Sequence, residues 1–246
     1  MIVAFEPSST SSVADISRAD AQSSFILHDV SRQYYWQGSG FFSIKSFFGG
    51  RALYSVGGGF CAVDDQSYLI LNSGQSYTIS IDSASPVESC CLFFSPRLAR
   101  EVYHSLSTSV DALLEAPLTG PGLELPGFFE RTYPHDALVS PALVRLRHAV
   151  SMSQSLLSPG WLAEQSRDML CRLLVAQRAA RLEMEALPGV RATTREELYR
   201  RLHRARDFVQ ALSSTPITLD DMARVANLSP THFLRTFKQA FHETPH

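Results

Sequence analysis

The side chains best suited to recognition chemistry are concentrated in residues 217–246. Within that stretch His232, Arg235 and Lys238 follow one another at helical spacing. Cationic groups repeated along one helix are typical of a surface that contacts a polyanion. These residue types at this spacing therefore direct attention to the C-terminal segment and to the elements that must present it.

The charge distribution favours the same segment. Residues 190–246 carry nine Arg and Lys against six Asp and Glu, whereas residues 1–189 carry 13 against 18. The whole chain has a net charge of −2, so its total gives no signal for nucleic acid. An acidic body followed by a basic segment localises contact with a polyanion to the basic part.

Two short helices joined by a tight turn are predicted to carry the cationic groups. Thr218 is placed to cap the first helix, and Asn227 tolerates the left-handed backbone that a sharp turn needs. Ser229 followed by Pro230 is a strong signal for the start of the second helix. The predicted inner stripes are Leu219, Met222, Ala223 and Ala226 in the first helix and Phe233, Phe237, Ala240 and Phe241 in the second. This geometry fits a recognition helix in the major groove of DNA.

The segment resembles the first helix-turn-helix of AraC-type (AraC/XylS) bacterial transcription regulators. The matching positions are Ile217-Thr218-Leu219, Ala223, Ser229, His232-Phe233, Arg235, Phe237-Lys238 and Thr244-Pro245. The helix predicted over 193–212 is similar to the helix that precedes this motif, so the resemblance covers 193–246. The chain departs from the family's pattern at His242, where glycine is usual. A side chain there costs about 1 kcal/mol if the backbone is left-handed.

The resemblance implies six contacts with DNA. Base edges are expected to meet Thr231, Leu234 and Arg235, and phosphates are expected to meet Ser229, His232 and Lys238. Arg235 is the strongest candidate, because a guanidinium can bond two acceptors of a guanine edge. Four of the six also have a plainer interpretation: Arg235 as a solvated helix arginine, Ser229 as a cap, His232 as a structural residue and Leu234 as a packing residue.

The resemblance covers one helix-turn-helix, whereas regulators of this type carry two units joined by a long helix. The sequence is therefore expected to be truncated after the first unit, which leaves a partial DNA-binding domain over 190–246. The loss of affinity on raising salt scales with the number of phosphates neutralised. The 246 residues are expected to bind DNA weakly and with strong salt dependence, at least roughly tenfold below a version with both units.

Residues 24–94 have the pattern of an antiparallel β structure. Short runs rich in Phe, Tyr, Val and Ile are separated by turn-forming Gly, Asn, Asp and Ser, with no helical pattern between them. Such a pattern predicts a barrel or a sandwich, and the resemblance implies a cupin-like barrel that binds a small effector. The adjacent Cys90 and Cys91 should point to opposite faces of a strand. The candidate lining of an effector pocket, most of it expected to be ordinary core, is Phe41, Phe47, Tyr54, Phe60, Tyr68 and Tyr77.

The predicted fold class is α+β and multidomain: an N-terminal cupin-like antiparallel β-barrel with following helices, then an all-α helix-turn-helix subdomain. A flexible N-terminal segment is predicted over 1–23, and the barrel with its associated helix over 24–138. A helical dimerisation or packing segment over 139–189 precedes the DNA-binding part. Residues 116–136, which are rich in Pro and Gly, are predicted to be irregular.

The long helix predicted over 161–187 carries a seam of residues spaced by seven: Leu162, Met169 and Ala176, and Leu173, Ala180 and Leu187. Such a seam suits a homodimer. It equally suits packing onto the chain's own barrel or onto the helix predicted over 140–157. Both interpretations remain open at the level of the sequence.

The sequence offers no constellation for catalysis or metal binding. The four cysteines lack CxxC spacing, which favours packing roles in a reducing cytoplasm. A catalytic cupin would need closely spaced histidine and carboxylate ligands, and His28, His104 and His135 are scattered. No metal, no cofactor and no enzymatic activity are predicted. The alternative that stays open is a small-molecule-binding or metal-dependent cupin-type enzyme with a vestigial tail.

Together these patterns predict an effector-responsive, sequence-specific DNA-binding transcription regulator of the bacterial cytoplasm. Its expected partners are DNA, a small-molecule effector that the sequence does not identify, a second copy through 161–187, and RNA polymerase. No apolar run approaches the ~18–20 residues of a membrane span, so no membrane contact is predicted.

Overall fold

The computed structural model describes residues 2–3, 23–109, 125–153, 158–189, 191–212 and 216–245. Its strands are β1 (Ile2–Val3), β2 (Phe25–Ser39), β3 (Ser43–Phe48), β4 (Ala52–Val56), β5 (Gly59–Val63), β6 (Ser67–Leu71), β7 (Ser76–Phe93) and β8 (Thr132–Pro134). Its helices are α1 (Pro96–Ser107), α2 (Ser140–Ser153), α3 (Pro159–Glu185), α4 (Ala192–Ala211), α5 (Leu219–Val225) and α6 (Pro230–Phe241). This order of a β-rich half followed by helices agrees with the predicted fold class.

Two long antiparallel strands, β2 and β7, form the longest pairing of the sheet. They pair along almost their whole length, with one irregularity between Ser31 and Gln33. The first half of β7 also pairs with β4, and its second half pairs with β3. Strands β5, β6 and β8 extend these two branches, so that the sheet curls into a nearly closed barrel.

The two faces of the sheet support two separate cores. The adjacent Cys90 and Cys91 confirm the predicted alternation, because Cys90 joins the core under the helices and Cys91 joins the core inside the barrel. On the first half of β7, Tyr77, Ile79 and Ile81 are buried, as an alternating strand with one wet face requires.

Helix α3 buries its seam within the chain. Leu162, Met169 and Leu173 pack in the core between the sheet and helices α1 and α2, and Ala180 and Leu187 pack in the core of the C-terminal helices. The seam of α3 therefore packs against other parts of the same chain, which is the intramolecular alternative. A second copy could meet only the outer face of α3, where Val175 and Leu182 are 56% and 60% exposed.

The segment predicted to be irregular over 116–136 contains a short strand, so that part of the prediction was wrong. Thr132–Pro134 form β8, which pairs with Ser67–Leu69 on β6. Thr and Tyr favour extended backbone, and Pro134 ends the strand at the sheet edge, where a missing N–H is tolerated. Residues 110–124 lie outside the described residues, as do residues 154–157 at the predicted end of the second helix.

Two residues of the predicted flexible N-terminal segment form the short strand β1. Ile2 and Val3 pair in parallel with Ile26 and Leu27 of β2. Residues 4–22 lie outside the described residues.

The C-terminal helices have their own hydrophobic core, which also takes in parts of the body. Leu202 of α4, Ala223 of α5 and Phe233 of α6 are fully enclosed in it. Met184 from the last turns of α3 and Phe129 from the loop before β8 complete the cluster. The predicted boundary at 190 follows the end of α3, and the core spans it.

Candidate nucleic-acid interface and effector cavity

Helix α5 begins with a complete capping box. The hydroxyl of Thr218 accepts a hydrogen bond from the backbone N–H of Asp221 at 3.2 Å, and the carboxylate of Asp221 accepts one from the N–H of Thr218 at 3.0 Å. Two backbone donors that a helix start leaves unpaired are thereby satisfied. The predicted cap at Thr218 is confirmed, and the box fixes the start of the first helix.

The turn between α5 and α6 depends on a left-handed residue. Asn227 has φ of 52°, the conformation that the sequence predicted for it. The N–H of Leu228 then donates to the carbonyl of Ala223 at 2.9 Å, which closes the last turn of α5. This geometry fixes the angle at which α6 leaves α5.

Helix α6 begins at Pro230 and is capped by Ser229, whose hydroxyl accepts from the N–H of His232 at 3.4 Å. Its inner face carries the buried Phe233 and Phe237, as predicted. It also carries Thr236, a buried polar residue that the hydrophobic pattern did not reveal. The Thr236 hydroxyl donates to the carbonyl of His232 at 2.7 Å, so its burial leaves no polar atom unsatisfied.

The outer face of α6 carries two exposed cations, Arg235 and Lys238. Thr231, Arg235 and Lys238 lie at i, i+4 and i+7 and are all exposed. In the described part of the chain no ion pair or hydrogen bond engages the side chains of Arg235 and Lys238. By contrast, Arg200 and Arg201 on α4 are paired with glutamates one turn before them, at 2.8 and 2.7 Å. Arg235 and Lys238 are therefore free to meet a polyanion.

The structure brings the six residues predicted to contact DNA to one helix and its cap. Five are solvent-exposed and Leu234 is half-buried: Ser229, Thr231, His232, Leu234, Arg235 and Lys238. The helix ends at His242 with φ of 58°, so the non-glycine residue at this position does adopt the left-handed conformation.

The interior of the barrel contains a cavity with an apolar wall. The volume open to the centre of a water molecule is about 60 Å³, several times the ~10–15 Å³ that one water needs. Of the six aromatic residues proposed to line an effector pocket, Phe47, Tyr54 and Tyr77 line this cavity. The other three lie elsewhere: Phe41 packs beside the barrel core, Tyr68 faces the core under the helices, and Phe60 is exposed.

Lys45 on β3 is the residue of the cavity that sequence reasoning missed. It is 3% exposed, and its ammonium lies 3.5 Å from the centre of the Phe93 ring. Burial lowers the pKa of Lys45 to about 8, and the nearby thiol of Cys91 opposes this shift. The signal was available, because Lys45 precedes Phe47 by two positions and strand alternation places both on the same face.

Three tyrosines add phenol groups to the same cavity. Burial is the main cause that raises the pKa of Tyr34 to about 12, and burial likewise raises the pKa values of Tyr54 and Tyr77. Their hydroxyl groups therefore stay protonated at neutral pH and can donate hydrogen bonds. Among the described residues, none of the three hydroxyls has a hydrogen-bond partner.

A buried polar contact joins the barrel to helix α4. The carboxylate of Asp207 accepts hydrogen bonds from the backbone N–H of Thr132, at 3.1 Å, and from the Thr132 hydroxyl. The guanidinium of Arg131 lies 3.4 Å from Nε2 of His203, one turn earlier on α4. Burial raises the pKa of Asp207 to about 7, and burial followed by the charge of Arg131 lowers the pKa of His203.

Two of the three histidines considered for a metal site, His28 and His135, have separate partners. His28 contacts the Glu88 carboxylate at 2.9 Å, and Nδ1 of His135 lies 2.8 Å from the Ser140 hydroxyl. In the residues that the structure covers, no group of three or more His, Cys, Asp or Glu side chains is arranged to hold a metal ion. Nor does any helix in those residues have the length and apolar character needed to cross a membrane.

Comparisons with known proteins give similarities of fold. No protein-family model matches the sequence, and no curated protein matches it. An apo variant of ToxT from Vibrio cholerae is 10% identical, with a TM-score of 0.40 over 89% of this chain and 95% of that chain. ToxT with an unsaturated fatty acid bound is 12% identical, with a TM-score of 0.40 over 89% of this chain and 93% of that chain.

The AraC-like transcriptional activator CuxR is 15% identical, with a TM-score of 0.39 over 91% of this chain and 72% of that chain. Similarities at this level carry no argument about family or function. The functional proposal therefore depends on the residues and contacts of this chain.

Proposed function

We propose that this chain is an AraC-type transcription regulator in which α6 reads DNA and the barrel binds a small effector. The observation that carries the proposal is the asymmetry of α6. Its inner face is held by the buried Phe233 and Phe237, and its outer face presents Arg235 and Lys238, which have no side-chain partner among the described residues. A rigid helix with free cations after a tight turn is the arrangement that helix-turn-helix proteins insert into the major groove.

The proposed roles follow the positions on α6. Thr231, Leu234 and Arg235 read base edges, with Arg235 as the main determinant of sequence preference. Ser229, His232 and Lys238 contact phosphates, which the N-terminus of the helix also attracts. A single reading helix neutralises few phosphates, so the 246 residues by themselves bind DNA weakly and with strong salt dependence.

The β4–β5 hairpin supplies the route by which an effector acts on the reading helix. Tyr54 on β4 lines the cavity, and β5 packs against α4 on the other side. At the hairpin turn the carbonyl of Gly57 accepts a hydrogen bond from Arg204 of α4 at 3.0 Å. A ligand that displaces Tyr54 therefore moves strands that contact the helix on which α5 and α6 are built.

We further propose that the regulator acts in the bacterial cytoplasm and that RNA polymerase is a partner on the promoter. Self-association would use the outer face of α3, where Val175 and Leu182 are exposed, because the inner seam is already covered. A homodimer on that face would bring two reading helices to one site on DNA.

The test is binding to a duplex selected by the wild-type chain from a random-sequence pool, measured by fluorescence anisotropy. Arg235→Ala is expected to weaken binding to the selected duplex by roughly tenfold or more and to bring it close to that for a scrambled duplex. Arg200→Ala, which removes an exposed arginine already paired with Glu196, is the matched control and should leave both affinities almost unchanged. If Arg235→Ala retains full affinity and preference, α6 does not read DNA.

A further inference from the structure

We propose that the cavity around Lys45 binds a compact organic monoanion, such as a monocarboxylate with a ring-sized or short aliphatic body. This proposal rests on the proposed function, because it assigns a chemical class to the effector. It depends on three features of the cavity: a buried ammonium without an acidic partner, phenol donors without acceptors, and an apolar wall.

The ammonium of Lys45 lacks a counter-ion in the part of the chain that the structure describes. Its contacts are aromatic, with ring centres at 3.5 Å for Phe93 and 5.7 Å for Tyr77. The other deeply buried cation, Arg131, does have an acid within reach, at 3.5 Å in Glu183. Burying an unpaired charge costs free energy unless a ligand compensates it. An anion bound beside Lys45 would supply that compensation.

The phenol groups of Tyr34, Tyr54 and Tyr77 line the same cavity as Lys45. A carboxylate accepts up to about four hydrogen bonds and donates none. The ammonium can only donate, and each protonated phenol has one hydrogen to donate, so together they match a carboxylate, whereas the charge of Lys45 repels a cationic ligand. The donor set therefore selects an anionic group.

The remainder of the cavity selects an apolar body. Phe47, Ile79, Ile81 and Phe93 form much of its wall, and all four are buried. Burying apolar ligand surface against such a wall favours binding. The limited free volume admits a compact ligand and excludes a long chain unless the rim moves.

An acidic side chain in the cavity wall disfavours a second negative charge on the ligand. Asp29 lines the cavity near Tyr34, whose phenol its charge influences, and it forms no ion pair with Lys45. A second carboxylate that approached Asp29 would be repelled. A dicarboxylate of the same length should therefore bind more weakly than the monocarboxylate.

Binding should depend on the protonation of Lys45. The titratable groups that face it from the surrounding strands are Cys91, Tyr77, Tyr54, Tyr34 and, at the rim, Asp29. Lys45 is mostly charged at pH 7 and loses its charge as pH rises past its lowered pKa. Affinity for the anion should therefore be retained at pH 7 and decline at alkaline pH, provided no group of the ligand titrates in that range.

The experiment is calorimetric titration of the full 246-residue chain with benzoate, phenylacetate and hexanoate. Benzyl alcohol and 1-hexanol serve as uncharged probes, and adipate serves as the dicarboxylate. At least one monocarboxylate is expected to bind at least tenfold more tightly than the matching alcohol, and hexanoate more tightly than adipate. If none of the three acids binds the wild-type chain, or if the alcohols bind equally well, the proposal is overturned.

The chain contains two lysines, which provides a matched control. Lys45→Met keeps the length of the side chain and should lower affinity for the bound acid at least tenfold, whereas Lys238→Met should leave it unchanged. Thermal unfolding of Lys45→Met verifies the fold, and Tyr54→Phe, which removes one donor, should weaken binding severalfold. Unaltered binding by Lys45→Met would contradict the proposal.

Affinity for DNA, measured without acid, separates this proposal from the proposed function. Lys238→Met should weaken DNA binding and Lys45→Met should not. If acid binds through Lys45 but no duplex is bound, the regulator assignment fails and the anion site stands. If DNA is bound but no acid is, the anion site fails and the DNA-reading helix stands.

Discussion

Lys45 and Lys238 are the only lysines of the chain, and they lie in opposite environments. Lys45 is enclosed by aromatic rings inside the barrel, whereas Lys238 is exposed on the outer face of α6. The exposed ammonium keeps its hydration and costs the fold little, so it is available to a phosphate at the surface. The buried ammonium is removed from bulk solvent and has no counter-ion among the residues that the structure describes. The same group is therefore neutral to stability at one site and destabilising at the other.

The largest effect is expected from Lys45→Met, which should raise the free energy of unfolding at pH 7 by about 3 kcal/mol. The pKa of Lys45 falls from 10.5 to about 8 on folding, and each unit corresponds to ~1.4 kcal/mol. The unfolded chain binds the proton more tightly, so the penalty is fully present below pH 8 and is relieved as pH rises from about 8 to 10.5. Urea unfolding at pH 7 and at pH 10 measures it.

Lys45→Met should lose most of its gain in free energy of unfolding at pH 10. This pH dependence distinguishes a charge effect from better packing. Lower stability of Lys45→Met at pH 7 would show that the ammonium has a structural role, and the comparison of the two lysines would fail.

On the exposed side, the next largest effect is expected from Arg235→Ala. A bidentate contact with a base edge discriminates by about 1–3 kcal/mol, so affinity for the selected duplex should fall by about that amount. Its free energy of unfolding should stay almost unchanged, because the side chain is exposed. Anisotropy and urea unfolding on one preparation separate the two effects, and a loss of stability equal to the loss of binding would indicate a folding defect instead.

The fold around Asp207 should lose stability as pH rises, because the carboxylate that ionises is buried. Asp207 has a pKa of about 7 in the folded chain, above its ordinary 3.8, so its contribution is complete below pH 3.8 and is lost as pH rises through 7. Between pH 6 and pH 8 the Asp207 contribution to the free energy of unfolding should fall by about 1 kcal/mol, and the lowered pKa of His203 acts in the opposite direction. Asp207→Asn cannot titrate and should remove the Asp207 contribution, so the stability of the variant should fall less, or rise, over this range. An equal slope in both proteins would assign it to another group.

The smallest effect is expected from Lys238→Met. One phosphate contact contributes a slope of about 0.9 to the dependence of log affinity on log salt. The variant should therefore show a salt slope lower by about one and an affinity reduced by a few-fold at low salt, equally for selected and scrambled duplexes. Titrations at several salt concentrations measure the slope. A change in sequence preference would place Lys238 against a base instead of a phosphate.

The same two regions differ in how far the sequence could predict them. The helix-turn-helix depends on local signals, and Thr218, Asn227 and Ser229 each take the predicted conformation. The cavity depends on which strands meet and in what register, which involves residues far apart in the chain. The aromatic pattern identified Phe47, Tyr54 and Tyr77 but not Lys45, which lines the same cavity.

The contact between barrel and helix α4 was beyond prediction for a related reason. In the sequence Asp207 is one more charged residue of a helix. It is buried because β8 forms at the neighbouring edge of the sheet. The proline-rich segment before it gave no sign of a strand. Thr132, which supplies both hydrogen bonds to Asp207, could therefore not be linked to α4 from the sequence.

The most direct test of the central claim is the affinity for the selected duplex with and without a saturating monocarboxylate, in the wild-type chain and in Lys45→Met. If the cavity and the reading helix are coupled through the β4–β5 hairpin and α4, the acid changes the wild-type affinity severalfold and leaves that of Lys45→Met unchanged. If calorimetry shows that the acid is bound but the wild-type affinity for DNA does not change, the two regions are independent and the claim is contradicted.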